Sequence, residues 1–426
     1  MQSKRRWLNL GIAFVLILSL FLVVNSPQSA RASNGAIPDK YIVVVSGSLE
    51  PSTAAADMAR QYGLGIGHVY AHALNGFSAT IPANRLEQVR NDPNVLSVVQ
   101  DREVSIEAKP CSNPPCGGGG GGGGGSSSQT VPTGVMRING EKSSTFSGDG
   151  KGSVNVDVAV IDTGVDLDHP DLNVVGGYNC STGKSYDDGN GHGTHVAGTI
   201  GALDNNFGVV GVAPGARIWA VRVLNNAGSG TWSDVICGVD WVTANASVIE
   251  AANMSLGGSG SEGTCNDGGL HEAICNAVAA GVTFAVAAGN ESDDAANHVP
   301  AAYNEVITVS ALADFDGEPG GLGSPTCRSD EDDTFANFSN YGKDVDIIAP
   351  GVCILSTWKG GGYNTISGTS MATPHVTGAA ALYLSSHPGA SPTQVKSALQ
   401  AAGNNNWDNS DDPDNTQEPL LDVGGF

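Results

Sequence analysis

The chain has 426 residues, enough for two or three domains, with 40% apolar residues, 59 glycines and a formal net charge of −23. Residues 129–426 carry ten Lys/Arg against 35 Asp/Glu, so phosphate backbones are repelled and nucleic acid is excluded as a partner. Residues 1–34 invert that balance, with four basic residues and no acid. Lys4, Arg5 and Arg6 precede the apolar run Leu8 to Val24, and Ala30-Arg31-Ala32 supplies a small-x-small cleavage pattern. Residues 1–32 therefore read as a signal peptide, with cleavage after Ala32. The expected product is secreted, with no stable membrane association after cleavage.

Residues 33–107 form the next segment, and 38–107 read as a small α+β unit. Strands are predicted at Tyr41–Val45, His68–Tyr70, Gly76–Thr80 and Val95–Val99, with helices at Ser52–Tyr62 and Asn84–Asn91. No cluster of catalytic residue types occurs in it, which points to a structural or inhibitory role. Residues 108–128 follow as a linker, with nine consecutive glycines from Gly117 to Gly125.

From 129 to 426 apolar strands alternate with helices. Strands are predicted at Val156–Ile161, Ile218–Val223, Val248–Met254, Val282–Ala287, Val306–Ser310 and Val345–Ala349. Helices are predicted at His192–Leu203, Trp232–Ala244, Gly269–Ala280 and Thr369–Ser385. This pattern implies an α/β fold: a mostly parallel sheet with helices on both faces and ligands bound beyond the strands' carboxyl ends. The cysteines suit disulfides in an exported chain. Short separations suggest Cys265–Cys275, Cys327–Cys353, Cys180–Cys237 and Cys111–Cys116.

Four residues at strand or helix ends have the chemistry of nucleophilic catalysis. Asp162 closes the run Val158 to Ile161; it is a turn residue or the acid that orients a histidine. His192, between Gly191 and Gly193, is free to act as general base. His195 follows at i+3 without the glutamate of H-E-x-x-H, so zinc is not expected and His195 reads as structural. Asn290 ends Phe284 to Gly289 and is a turn residue or an amide donor to an oxyanion. Ser370 opens an apolar helix, where free N–H groups and the helix dipole favour negative charge; Pro374 is expected in the first turn. Alone, each residue has a plain structural reading; together they supply acid, base, oxyanion donor and nucleophile.

The segments Val160 to Asp166, Gly191 to Thr199 and Gly368 to His375 resemble the Asp, His and Ser motifs of the subtilisin-like serine proteases, in the chain order Asp…His…Ser of subtilisin. The resemblance covers residues 129–398. It implies a self-processed zymogen hydrolysing polypeptide substrates through an acyl-enzyme, with Asp162, His192 and Ser370 as triad and Asn290 as oxyanion donor. Asn253 to Gly258 resembles the segment that adds substrate as a β-strand, so Ser255, Leu256, Gly257, Ala288 and Gly289 are the expected substrate-binding residues. The resemblance also implies structural Ca2+ held by Gln129, Asp171 and Asn205 side chains and the carbonyls of Leu203, Phe207 and Val209. Residues 38–107 resemble the family's propeptide, an intramolecular inhibitor and chaperone whose tail, Ser105 to Ala108, would lie in the active site. Processing is expected somewhere in 107–130.

The P1 pocket is expected between Ser255–Gly257, Ala287–Gly289 and residues 298–301. Glu291, Asp293 and Asp294 either favour basic P1 side chains or face solvent, and broad specificity is expected. The acidic stretches Asp314–Gly317 and Asp330–Asp333 are a second calcium site or a solvated loop. The expected oligomeric state is a monomer. The rival reading is a catalytically silent secreted binding protein on the same scaffold, which a serine phosphonylating reagent would leave unlabelled.

Overall fold

The structure, a computed structural model, describes residues 35–108 and 128–426. The expected signal peptide and the Cys111–Cys116 pair lie outside the described residues.

The N-terminal unit runs β1 (Ala36–Val45), α1 (Pro51–Tyr62), β2 (Gly65–Tyr70), β3 (Gly76–Thr80), α2 (Leu86–Arg90) and β4 (Val95–Ile106). Glu50 caps α1 by accepting from the Thr53 N–H, and Gly63, at φ 72°, ends it in the left-handed conformation. Strand β1 pairs antiparallel with β3 on one side and β4 on the other. Val43, Val45, Met58, Phe77 and Val89 form a small core beneath the helices. Strand β4 is seven residues longer than expected. Beyond Arg102, which pairs with Ala36, it has no partner strand in its own unit, so no local pattern reveals it; Glu103 to Ser105 pair with β8 (Ser229–Thr231), and Ser105 and Ile106 with β10 (Leu256–Ser259).

The larger unit contains α3 (Thr133–Arg137), β5 (Asp157–Asp162), β6 (Val174–Asn179), α4 (His192–Gly201), β7 (Arg217–Arg222), α5 (Trp232–Ala244), β9 (Ala251–Met254), α6 (Leu270–Ala279) and β11 (Thr283–Ala287). It continues with β12 (His298–Val299), β13 (Ile307–Ala313), β14 (Thr334–Phe335), β15 (Ile347–Pro350), the hairpin β16 (Ile354–Trp358) and β17 (Gly362–Ile366), α7 (Thr369–Ser386) and α8 (Pro392–Ala402). The main sheet has the order β14-β13-β11-β9-β5-β7-β6, with β15 also paired to β13, and every pairing except β13–β14 is parallel. The fold is thus α/β with a mostly parallel sheet. Both faces are buried, as the uninterrupted apolar strands require. Along β5, Val158 and Val160 face the core shared with α4 and α7, while Ala159 and Ile161 face the core under α5 and α6.

Three local expectations need correction. Strand β9 begins at Ala251 rather than Val248, because Ala246 to Val248 belong to the turn after α5, where Val248 N–H donates to Asn245 O. Helix α2 has only five residues, Pro82 to Arg85 forming a turn instead. Pro374 is not in the first turn of α7: it is the sixth residue of the helix, beyond the positions where a missing N–H is harmless. Among the described residues three disulfides are present: Cys180–Cys237, Cys265–Cys275 and Cys327–Cys353. No helix among the described residues is long and apolar enough to cross a membrane.

Candidate active site

The carboxyl end of the parallel sheet carries the site. Asp162 is the last residue of β5 and is fully buried. Its Oδ1 accepts from the Thr163 N–H at 2.7 Å and lies 2.8 Å from His192 Nδ1, with Oδ2 at 3.0 Å. A buried carboxylate on one ring nitrogen fixes the imidazole's orientation and places the proton on Nδ1. His192 is the first residue of α4, and Gly191 before it takes φ 117°, a conformation that disfavours a side chain. His192 Nε2 is buried and makes no hydrogen bond among the described residues.

Asp188, which sequence reasoning missed, organises this helix start. Its Oδ1 accepts from the Asn190 and Gly191 N–H groups and the Thr163 hydroxyl, and its Oδ2 from the Thr194 N–H and hydroxyl. An acid at a helix N-terminus satisfies orphan donors and complements the dipole. The signal was an acid four residues before His192 in a Gly/Asn turn. His195 is buried, with Nε2 on the carbonyls of Ile354 at 3.0 Å and Asn364 at 3.2 Å; burial pushes its imidazole down to about 3, so it stays neutral. That is a structural histidine.

Ser370 is the second residue of α7 and is fully buried. Its hydroxyl donates to the Ser255 carbonyl at 3.0 Å, and its N–H donates to the carbonyl of Glu107 at 3.1 Å. Asn290 Oδ1 accepts from the Thr369 N–H at 3.0 Å and hydroxyl at 3.2 Å. This turns Nδ2 towards the same residue's side chain, where it donates to Glu107 Oε2 at 3.4 Å. The Ser370 N–H thus meets the Glu107 carbonyl and Asn290 Nδ2 the Glu107 carboxylate, and the second half of β4 fills the cleft as an added strand. Leu256 faces Ile106 and Gly257 faces Ser105 across that pairing, and the Ile106 N–H donates to Gly228 O on the other side.

The expected substrate-binding residues divide by role. Leu256 and Gly257 pair with the bound strand. Ser255 offers its carbonyl to the Glu107 N–H at 3.4 Å, while its side chain turns away to α7. Ala288 and Gly289 are held by the fold: Ala288 N–H donates to Val309 O, Gly289 N–H to Thr369 Oγ1, and Asn340 Nδ2 to Ala288 O. Glu291 and Asp293 are half-exposed, and both are engaged by neighbouring side chains. Glu291 Oε2 accepts from the Asn290 N–H and Asn340 Nδ2, and His298 lies between the two acids, 3.5 Å from Glu291 and 3.2 Å from Asp293.

A cation fits the expected calcium cradle. Gln129 Nε2 donates to the carbonyls of Leu203 at 2.7 Å and Val209 at 3.1 Å, while its Oε1 is buried with no hydrogen-bond partner among the described residues. Two carbonyl oxygens thus converge where a positive group belongs, and an amide reversal adds Oε1 to them. Asp171 is fully buried close by, accepting from Asn205 Nδ2 at 2.8 Å and the Val209 N–H at 3.0 Å. Burial pushes its carboxyl above the ordinary range, and a neighbouring cation would favour its charged form. An all-oxygen set of this kind suits Ca2+. In the acidic insertion, Asp314, Asp316 and Asp332 bring carboxylate oxygens within 4.8 Å of one another, and Arg137 pairs with Asp314 and Asp333 there.

The sequence matches the family model described as Subtilase family over residues 153–417 and that described as Peptidase inhibitor I9 over residues 40–107. Subtilisin E of Bacillus subtilis (strain 168) is 36% identical over 409 residues, covering 94% of each chain. The extracellular serine proteinase of Thermus sp. (strain Rt41A) is 37% identical over 429 residues, again covering 94% of each. Among solved structures, a cold adapted subtilisin-like serine proteinase shares 42% identity and a TM-score of 0.53, covering 63% of this chain and 89% of that one.

Proposed function

The chain belongs to the subtilase family of serine endopeptidases, and on that premise we propose that it is an exported zymogen whose triad is Asp162, His192 and Ser370. The N-terminal unit is its intramolecular inhibitor. The observation that carries the reading is the Ser370 N–H on the carbonyl of a peptide strand, and it is supported by His192 held on Asp162 at the start of α4, a helix that shares its core with α7.

In the resting arrangement the Ser370 hydroxyl is held by the Ser255 carbonyl. Rotation about χ1 releases it to His192 Nε2, the buried ring nitrogen with no other partner among the described residues. Ser370 Oγ then attacks the scissile carbonyl while His192 takes its proton, and Asp162 stabilises the imidazolium. The Ser370 N–H and Asn290 Nδ2 receive the oxyanion. His192 protonates the leaving amine, and water hydrolyses the acyl-enzyme by the reverse proton path. Gln129, Asp171, Asn205 and the carbonyls of Leu203, Phe207 and Val209 would hold Ca2+, which supplies charge neutralisation to the loop after α4 and takes no part in bond making. Residues 1–32 serve as the export signal.

Ser370→Ala tests the reading. The expected product is a full chain with its N-terminal unit still attached, and normal self-maturation of that variant overturns the mechanism.

A further inference from the structure

The strand in the cleft is part of the same chain, and its register singles out one bond. Glu103 to Ser105 pair with β8 and Ser105 and Ile106 pair with β10 on the other side, so the strand cannot slide by one residue without losing both ladders. Glu107 follows, with its N–H on Ser255 O and its carbonyl on the Ser370 N–H. Gly368 lies directly beneath: a side-chain carbon there would stand 2.5 Å from Glu107 O and 3.0 Å from the Ala108 α-carbon. The floor is therefore cut away under the peptide joining Glu107 to Ala108. The Glu107 side chain is only 7% exposed. Its Oε2 takes Asn290 Nδ2, and its Oε1 lies 3.2 Å from where a side chain on Gly257 would begin, so any residue but glycine would crowd it. The acids that follow Asn290 are engaged elsewhere, Glu291 by Asn340 and Asp293 by His298.

We propose that Glu107–Ala108 is the bond this enzyme cuts to mature itself, and that its P1 pocket accepts a glutamate side chain in doing so. The inference rests on the endopeptidase reading above and adds a substrate class, peptides with glutamate at P1. In the step, Ser370 Oγ bonds to the Glu107 carbonyl carbon and its proton passes to His192. The bond from Glu107 carbon to Ala108 nitrogen breaks, and Ala108 leaves as an amine carrying that proton. Water then cleaves the Glu107 ester, leaving a carboxyl terminus at Glu107 and restoring the Ser370 hydroxyl. The 21 residues from 108 to 128 remain on the catalytic chain after this cut.

The test weighs the earliest products of the full chain by intact mass spectrometry, while a serine phosphonylating reagent reports Ser370 separately. A free heptapeptide spanning Val104 to Pro110 is assayed beside the same peptide with leucine in place of the glutamate. The expected result is an inhibitor fragment ending at Glu107, a catalytic chain beginning at Ala108, and cleavage after glutamate within about tenfold of leucine. A labelled enzyme whose earliest products end elsewhere, or whose glutamate peptide falls further behind than that, overturns the inference and leaves the endopeptidase reading standing. A chain that neither labels nor cuts removes that reading and the inference with it.

Discussion

Ser255 and Ser370 exchange hydrogen bonds: Ser255 Oγ donates to the Ser370 carbonyl at 2.9 Å, and Ser370 Oγ donates to the Ser255 carbonyl at 3.0 Å. The first bond exists because Pro374 is four residues after Ser370 and has no N–H to offer that carbonyl. A helix interior proline thus leaves the nucleophile's carbonyl free, and the substrate-side segment takes it. Ser255→Ala should leave this buried carbonyl unpaired and lower stability by about 1–3 kcal/mol. Adding Pro374→Ala supplies an N–H in the helix and should restore part of the loss. Urea unfolding of both variants in a Ser370→Ala background checks this; no recovery in the double variant would refute the proline argument.

Asn290 is oriented from behind. Thr369 donates twice to its Oδ1, so Nδ2 has one direction left, into the cleft. Asn290→Ala should lower kcat by about 100- to 1,000-fold with little change in KM, the scale known for losing one oxyanion donor in this family. Thr369→Val, which removes the hydroxyl but keeps the backbone N–H, should lower kcat by a smaller factor. Steady-state kinetics on a peptide substrate separate the two. Equal losses would mean that Thr369 acts on more than the amide's direction.

The alternation of buried strands with helices made the parallel sheet legible, and the ends of β5, β11 and α7 pointed to Asp162, Asn290 and Ser370 before any contact was known. Features that depend on two distant segments were not legible. The second half of β4 has charged residues and no pattern of its own, because its partners are Ser229–Thr231 and Leu256–Ser259. Asp188 reads as one acid among 43 until Thr163 and Thr194 are seen to meet it. The contact of Glu291 with Asn340 was equally hidden, since Asn340 lies 49 residues away.

Gln129 joins the start of the larger unit to the loop after α4, and the Thr130 N–H continues the contact by donating to Gly208 O. Binding of Ca2+ to the folded form alone stabilises it by RT ln(1 + [L]/Kd), about 2.7 kcal/mol at a hundredfold excess over Kd. Chelation should therefore lower Tm, and Asp171→Asn should lower it in the presence of calcium and abolish the response to chelator. Calorimetry on the Ser370→Ala chain with and without EDTA reads this without autolysis. A wild-type Tm indifferent to chelator, with no calcium found by elemental analysis, would remove the ion from the proposal.

Glu418 is 3% exposed, and neither carboxylate oxygen has a hydrogen-bond partner among the described residues. Burial, reinforced by the charges of Asp412 and Asp414, pushes its carboxyl up to about 8; burial likewise carries Asp412 up to about 6. A carboxyl raised in the folded state holds its proton more tightly there than in the unfolded chain. Its contribution to stability is therefore most favourable below the ordinary carboxylate pKa, declines as pH rises towards the folded value, and is flat above it. For Glu418 the decline runs up to about pH 8, at no more than about 1.4 kcal/mol per pH unit. Glu418→Gln keeps the shape and removes the titration. Its stability should exceed that of the parent at pH 8 and approach it at pH 5. Asp412, together with Asp314, which burial pushes up to about 7, supplies the slope both proteins retain in the lower part of the range. Urea unfolding of the Ser370→Ala chain and its Glu418→Gln derivative from pH 5 to 9 makes the comparison. Parallel curves across that range would mean that Glu418 is ionised throughout, compensated by a partner that the carboxyl's buried surroundings do not provide.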